Sequence, residues 1–174
     1  MSERERDMEN PQLADDAFLA PNADVTGNVT MAARSSVWFS SIVRSNGAPV
    51  SLGVGTDIQD NSLVESVPGH PAQLGDYVSL GHGATVRGAM LDDHILIAMH
   101  AVVEPGCRIG SGTIIAANAT LPANTTVPPN SLVIGTEGRV LRETTEAERE
   151  RIRLTSSHYM ELASQYLARI GRGH

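Results

Sequence analysis

Aromatic rings are scarce in this chain: two Phe, one Trp and three Tyr in 174 residues, or 3%. So few rings, beside 16 glycines, exclude a large conventional core and favour a narrow one lined by small aliphatics. A single cysteine excludes an internal disulfide framework and a cysteine-rich metal site. Cations are outnumbered, Lys+Arg 13 against Asp+Glu 20, and a net charge of −7 argues against a general grip on nucleic acid. No window approaches the length of a membrane span. The start, Met-Ser-Glu-Arg-Glu-Arg-Asp, lacks the apolar run of a secretory signal. A soluble, cytoplasmic protein is the expectation, with no membrane or nucleic-acid partner.

What the chain does have is a globular balance, 41% hydrophobic and 19% charged, arranged on a six-residue grid. Val25, Met31, Val37 and Val43 form one run; Leu52, Ile58 and Val64 a second; Leu74, Leu80 and Val86 a third. The longest is Leu91, Ile97, Val103, Ile109, Ile115, Leu121, Val127 and Val133. A period of six fits neither the 3.6 of a helix nor the 2 of an alternating strand. It is the hexapeptide signature of a parallel β-helix, three short strands to a triangular coil, with coils stacked at about 4.8 Å. The aliphatic at each grid point fills the prism.

With loops inserted near 45–49 and 66–73, the grid places Val43, Val64, Val86 and Val103 in one vertical column. Ile58, Leu80, Ile97 and Ile115 form another. The side chains that follow the first column then stack in the order Arg44, Glu65, Arg87, Glu104, alternating in sign at the strand spacing. Residues 1–16 are charge-dense and read as a flexible acidic arm, 17–142 as the β-helix, and 143–174 as a C-terminal helix and tail. Thr145 and Glu148 fit a capping box. Ile152, Tyr159, Ala163, Tyr166 and Ile170 make the apolar stripe of that helix.

Within this frame several segments resemble the γ-class carbonic anhydrase family. They are Ser36-Val37-Trp38, Ile42-Val43-Arg44, Asp57-Ile58-Gln59-Asp60-Asn61, the stretch from Gly75 to Ala84 with Gly81-His82-Gly83, and Gly135…Arg139-Val140-Leu141-Arg142-Glu143. The likeness runs from about Phe18 to the C-terminal helix. It implies a left-handed β-helix, a homotrimer, and sites between subunits where three histidines hold a divalent metal whose hydroxide attacks CO₂.

Carried over position by position, the resemblance puts Glu65 at the first metal ligand, His82 at the second and Arg87 at the third. Gln59 and Asp60 are the family's residues beside the metal, and Arg44-Ser45-Asn46 stands where the family has Arg-Gly-Asp. A guanidinium offers no lone pair for coordination and repels a cation, so no metal or other cofactor is expected. The residues themselves leave three readings open. Arg44, Glu65, Arg87 and Glu104 form a structural ion ladder at a subunit interface; or they serve an altered active site; or a metal site is rebuilt from Glu65, His82 and another histidine.

His100, near His82, and His70, on the inserted loop, are further candidates whose plain alternatives are a surface residue and a turn residue. Tyr159 is expected either in the core or reaching the cleft of a neighbouring subunit. Cys107 has no adjacent base, and Asp92, Asp93 and His94 read as a coil corner. Two functions follow. One is a scaffold or assembly subunit without zinc-dependent CO₂ hydration. The other is a metal-free enzyme acting on a small anionic substrate at the subunit interface, with Glu65 or Asp60 as base, His82 as proton shuttle, and Arg44 and Arg87 as anion clamp. CoA-dependent acyl transfer with His82 or His100 as base is a third and weaker option.

Overall fold

In the computed structural model, which describes residues 10–170, each hexapeptide makes one short strand and one corner. The strands collect into three faces of seven, eight and six strands, parallel throughout except for the last strand of the eight. Successive strands of one face come from successive coils, so each strand pairs with the one about a coil earlier and the one a coil later. The grid arithmetic is the observed register: Val43 pairs with Val64, Val64 with Val86 and Val86 with Val103. On the next face Ile58, Leu80, Ile97 and Ile115 align in the same way.

Grid side chains fill the prism. Val37, Ile58, Val64, Leu80, Val86, Ile97, Val103, Ile115 and Val133 are completely buried in one continuous cluster that contains no aromatic ring. Full burial of each such side chain contributes about 1.5–3 kcal/mol. Corners turn through left-handed backbone, which Asn and Gly tolerate best. Asn118, Asn124 and Asn130, six apart, have φ near 60°, as do His94 and His100.

The last coil is capped by strand Arg139–Glu143, which runs antiparallel to Ser131–Ile134. Helix α1, Glu146–Ile170, then folds back over the eight-stranded face. Its N-terminus is the expected capping box: the Thr145 backbone N–H donates to Glu148 at 2.8 Å and the Glu148 N–H to Thr145 Oγ1 at 3.2 Å. The rings missing from the prism are here. Phe18, Trp38, Phe39, Tyr159 and Tyr166 form one tilted and edge-to-face cluster under α1. Ile152 and Ala163 are buried as the stripe requires, but Ile170 is exposed, because the stripe ends before the helix does.

The chain also departs from the expected arm. Gln12–Leu13 is already a strand, paired with Thr30–Met31, so the solenoid begins inside the 1–16 segment. Residues 1–9 of that arm and 171–174 of the tail lie outside the described residues.

Candidate functional site

The residue after each inward valine turns outward, and the in-register pairing of Arg44 with Glu65 and Glu65 with Arg87 makes the first group. Glu65, only 5% exposed, lies between two guanidiniums. Arg44 Nε and Nη2 are 2.9 and 2.7 Å from Oε2, and Arg87 Nε donates to Oε1 at 2.8 Å. Arg87 Nη1 continues to Glu104 Oε2 at 3.5 Å. The alternating ladder read from the period is the one observed. Burial alone would raise the Glu65 pKa; hydrogen bonds from Arg87 and Arg44, with their charges, outweigh it and hold the carboxyl below its ordinary value. The hydrogen bond to Glu65 in turn raises Arg87, against a smaller opposing effect of desolvation.

Each arginine serves a different oxygen, which makes a sharp stability prediction. Arg44→Ala or Arg87→Ala alone should cost about 1 kcal/mol, because the half-exposed partner that remains still neutralises Glu65. The double variant leaves a buried carboxylate unpaired and should cost about 3–5 kcal/mol, more than the sum. A double-mutant cycle in denaturant at neutral pH measures the excess. The ladder's contribution is present above the unfolded Glu pKa and is lost as pH falls through the lower folded value.

A second group sits where the eight-stranded face turns toward the six-stranded one. His82, in the corner after strand Ser79–Leu80, stacks on Asp60 of the preceding coil: the Gly83 backbone N–H donates to the Asp60 carbonyl at 2.9 Å. His82 Nδ1 is 3.0 Å from Asp60 Oδ2, and Nε2 is 3.3 Å from Tyr159 Oη on α1. The order Asp60–His82–Tyr159 therefore closes within one chain. Tyr159 does not need a neighbour's cleft; it packs edge-on against Trp38 and meets its own chain's histidine. Burial, then the charges of Asp57 and Asp60, push the Tyr159 hydroxyl up to about 12. A phenol held protonated can donate to Nε2 in the tautomer that keeps Nδ1–H facing the carboxylate.

Behind this corner is Asp57, fully buried beneath the helix. Ser79 Oγ donates to its Oδ2 at 2.6 Å and Gln59 Nε2 to its Oδ1 at 2.9 Å. Burial raises its pKa to about 7, with the Ser79 and Gln59 hydrogen bonds opposing. Gln59 thus braces Asp57. In the next coil of the same column Ser36 pairs with Asp57 and accepts from Trp38 Nε1 at 2.9 Å. Sequence reasoning missed Asp57; the available signal was its column, Ser36-Asp57-Ser79, small and polar where an exposed face would vary.

Within one chain, six of the seven candidate residues fall into two groups and the seventh, Gln59, braces Asp57. Among the described residues no hydrogen bond or ion pair joins the Arg44–Glu65–Arg87 ladder to Asp60–His82–Tyr159. His100 stacks over Gly83, its backbone N–H bonded to the His82 carbonyl at 3.1 Å. His70 closes a tight loop against Val67. His94 stacks on Tyr77, and Asp93 accepts from the Asp76 N–H, as corner residues do. The Cys107 thiol donates to the Pro122 carbonyl at 3.1 Å, and burial pushes its pKa up. Asn46 donates its N–H to Ser66 Oγ at 2.8 Å.

The three positions that the resemblance assigns to metal ligands do not fit a metal. Arg87 has no lone pair to give, and both Glu65 oxygens already accept from guanidiniums at 2.7–2.9 Å. Only His82 could coordinate, short of the three protein ligands of a catalytic zinc.

No family model matches the chain. It is 40% identical over 145 residues to the probable carbonic anhydrase of Methanocaldococcus jannaschii, covering 83% of this chain and 91% of that protein. It is 34% identical over 164 residues to the mitochondrial gamma carbonic anhydrase 1 of Arabidopsis thaliana, covering 91% of this chain and 60% of that protein. Among solved structures, a Bacillus cereus protein provisionally described as an acetyltransferase superposes with a TM-score of 0.89 at 29% identity, covering 91% of this chain and 92% of that one.

Proposed function

Because the chain belongs to the γ-carbonic-anhydrase-like family of hexapeptide-repeat proteins, we propose that it is a homotrimer whose metal site has become an ion ladder. Two of three ligand histidines are replaced, by Glu65 and Arg87. The protein then acts as a scaffold or assembly subunit and not as a zinc-dependent CO₂ hydratase. The observation that carries this reading is the doubly paired Glu65: both oxygens accept from guanidiniums, and the pairing lowers the carboxylate's basicity, the opposite of what a catalytic base needs. The Arg87 guanidinium supplies positive charge where the family places a metal.

The test is metal content per chain by mass spectrometry, on protein purified without chelator or affinity-column metal, together with stopped-flow CO₂ hydration. Essentially no metal and no hydration above buffer are expected. About one zinc, iron or cobalt per chain, lost in His82→Ala, would overturn the reading.

A second reading rests on the Asp60–His82–Tyr159 chain. Asp60 orients the imidazole through Nδ1, and His82 Nε2 can exchange a proton with a small anionic substrate that displaces the Tyr159 hydroxyl. Turnover of such a substrate that is lost in both His82→Ala and Tyr159→Phe, with the trimer intact, would favour this enzyme over the scaffold.

A further inference from the structure

A cavity of about 280 Å³ opens at a different corner, where the six-stranded face turns into the seven-stranded one. Two stacked glycines form its floor: the Gly106 N–H donates to the Gly88 carbonyl at 2.8 Å, and both have positive φ. A Cβ on Gly88 would come within 2.8 Å of His70 Cβ, and one on Gly106 would collide with Asn124 Oδ1. The missing side chains let His70 and Asn124 pack closely against the two glycines, one at each end of the cavity. Arg108, on strand Arg108–Ile109, lines the same cavity.

The charges are unusual for this molecule. Lysine is absent and every guanidine or amine cation among the side chains is an arginine, of which Arg44, Arg87, Arg142, Arg149 and Arg153 are paired with carboxylates. Arg108 has no acidic partner among the described residues, and no carboxylate lines the cavity, although the chain carries a net −7. A second cavity of about 300 Å³ shares Met90 and Arg108 but is walled by Asp92, Val127, Pro128 and Pro129. The carboxylate there directs an anion to the His70 side of Arg108.

We propose that this corner binds a small organic oxyanion, a carboxylate or a phosphate, gripped by the Arg108 fork and flanked by His70 and Asn124. Guanidinium geometry matches two oxygens of either group, and a cavity of about 280 Å³ holds the body of a small ligand. The site is separate from Glu65 and from His82, so it stands whether the ladder is a scaffold or part of an active site.

Isothermal titration with inorganic phosphate and, separately, with malonate, at ionic strength fixed by chloride, tests it. Saturable binding of at least one anion is expected, weakened about tenfold or more by Arg108→Gln and less by His70→Ala. The anion bound more tightly identifies the class. Backbone amide shifts on titration should be largest at Gly88 and Gly106. Arg108 is exposed, and an unchanged melting temperature in chloride would show that its variant folds. Equal affinity in wild type and both variants, or no saturable binding of either anion, overturns the proposal.

Discussion

Asp57→Asn should make the protein more stable at pH 8 and leave its stability unchanged near pH 4. Asp57 is fully buried, and its pKa rises from 3.8 to about 7 because burial disfavours the charged form. A raised folded pKa means the native state holds the proton more tightly than the unfolded chain. The stabilisation from the neutral acid is therefore complete below the unfolded pKa and is lost as pH rises through about 7. A rise of about three units corresponds to at most about 4 kcal/mol by the alkaline end.

Asparagine reproduces the neutral acid. Its carbonyl oxygen accepts from Gln59 as Oδ1 does, and its amide can donate to Ser79 Oγ where the protonated oxygen would. Denaturant unfolding of both proteins at a fixed protomer concentration, from about pH 4 to 9, gives a difference curve. Subtracting the curves removes the six histidines common to both. That difference is expected to rise across the window from about pH 4 to about 7 and to level off above it. Curves that stay parallel would mean Asp57 is ionised throughout. The lone Trp38, bonded to Ser36 in the Asp57 column, reports by its emission whether α1 loosens as the carboxyl ionises.

Asp57 also marks where the sequence stops being readable. The stacking of Arg44, Glu65, Arg87 and Glu104 followed from counting alone, because in an in-register parallel coil a side chain's vertical neighbour is one coil away. The same rule aligned Ile58 with Leu80 and Ile97. Nothing in that arithmetic says which outer face a helix will cover. That depends on where strand Arg139–Glu143 reverses and launches α1, a tertiary choice the hexapeptide period does not encode. Hence Asp57 and Ser79 looked like ordinary strand residues, Gln59 entered only through the resemblance and without its Asp57 partner, and Tyr159 lacked its own. The scarcity of rings was legible as a narrow prism. Their gathering beneath α1, around Trp38, was not.

Restoring the family's ligand set should bring back metal. In the Glu65→His, Arg87→His double variant three imidazoles would occupy the positions that the resemblance assigns to ligands, two from one chain and a His82 meeting them across the interface of the proposed trimer. Neither change suffices alone. Glu65→His leaves Arg87 without its carboxylate and beside the site, where its charge repels a dication. Arg87→His leaves Glu65 bound to Arg44 through Oε2, so that one carboxylate oxygen remains committed to a cation. With both changed, Arg44 and Glu104 lose their partners, and both side chains are exposed enough to turn to water. The expectation is essentially no zinc in wild type or either single variant and about one per chain in the double variant, read by mass spectrometry after dialysis. CO₂ hydration by the double variant should follow the metal and vanish with His82→Ala. If the double variant folds and forms the same oligomer as wild type but binds no zinc, the assignment of Glu65 and Arg87 to the lost ligand positions fails. Substantial zinc in wild type would show that the ladder never displaced it.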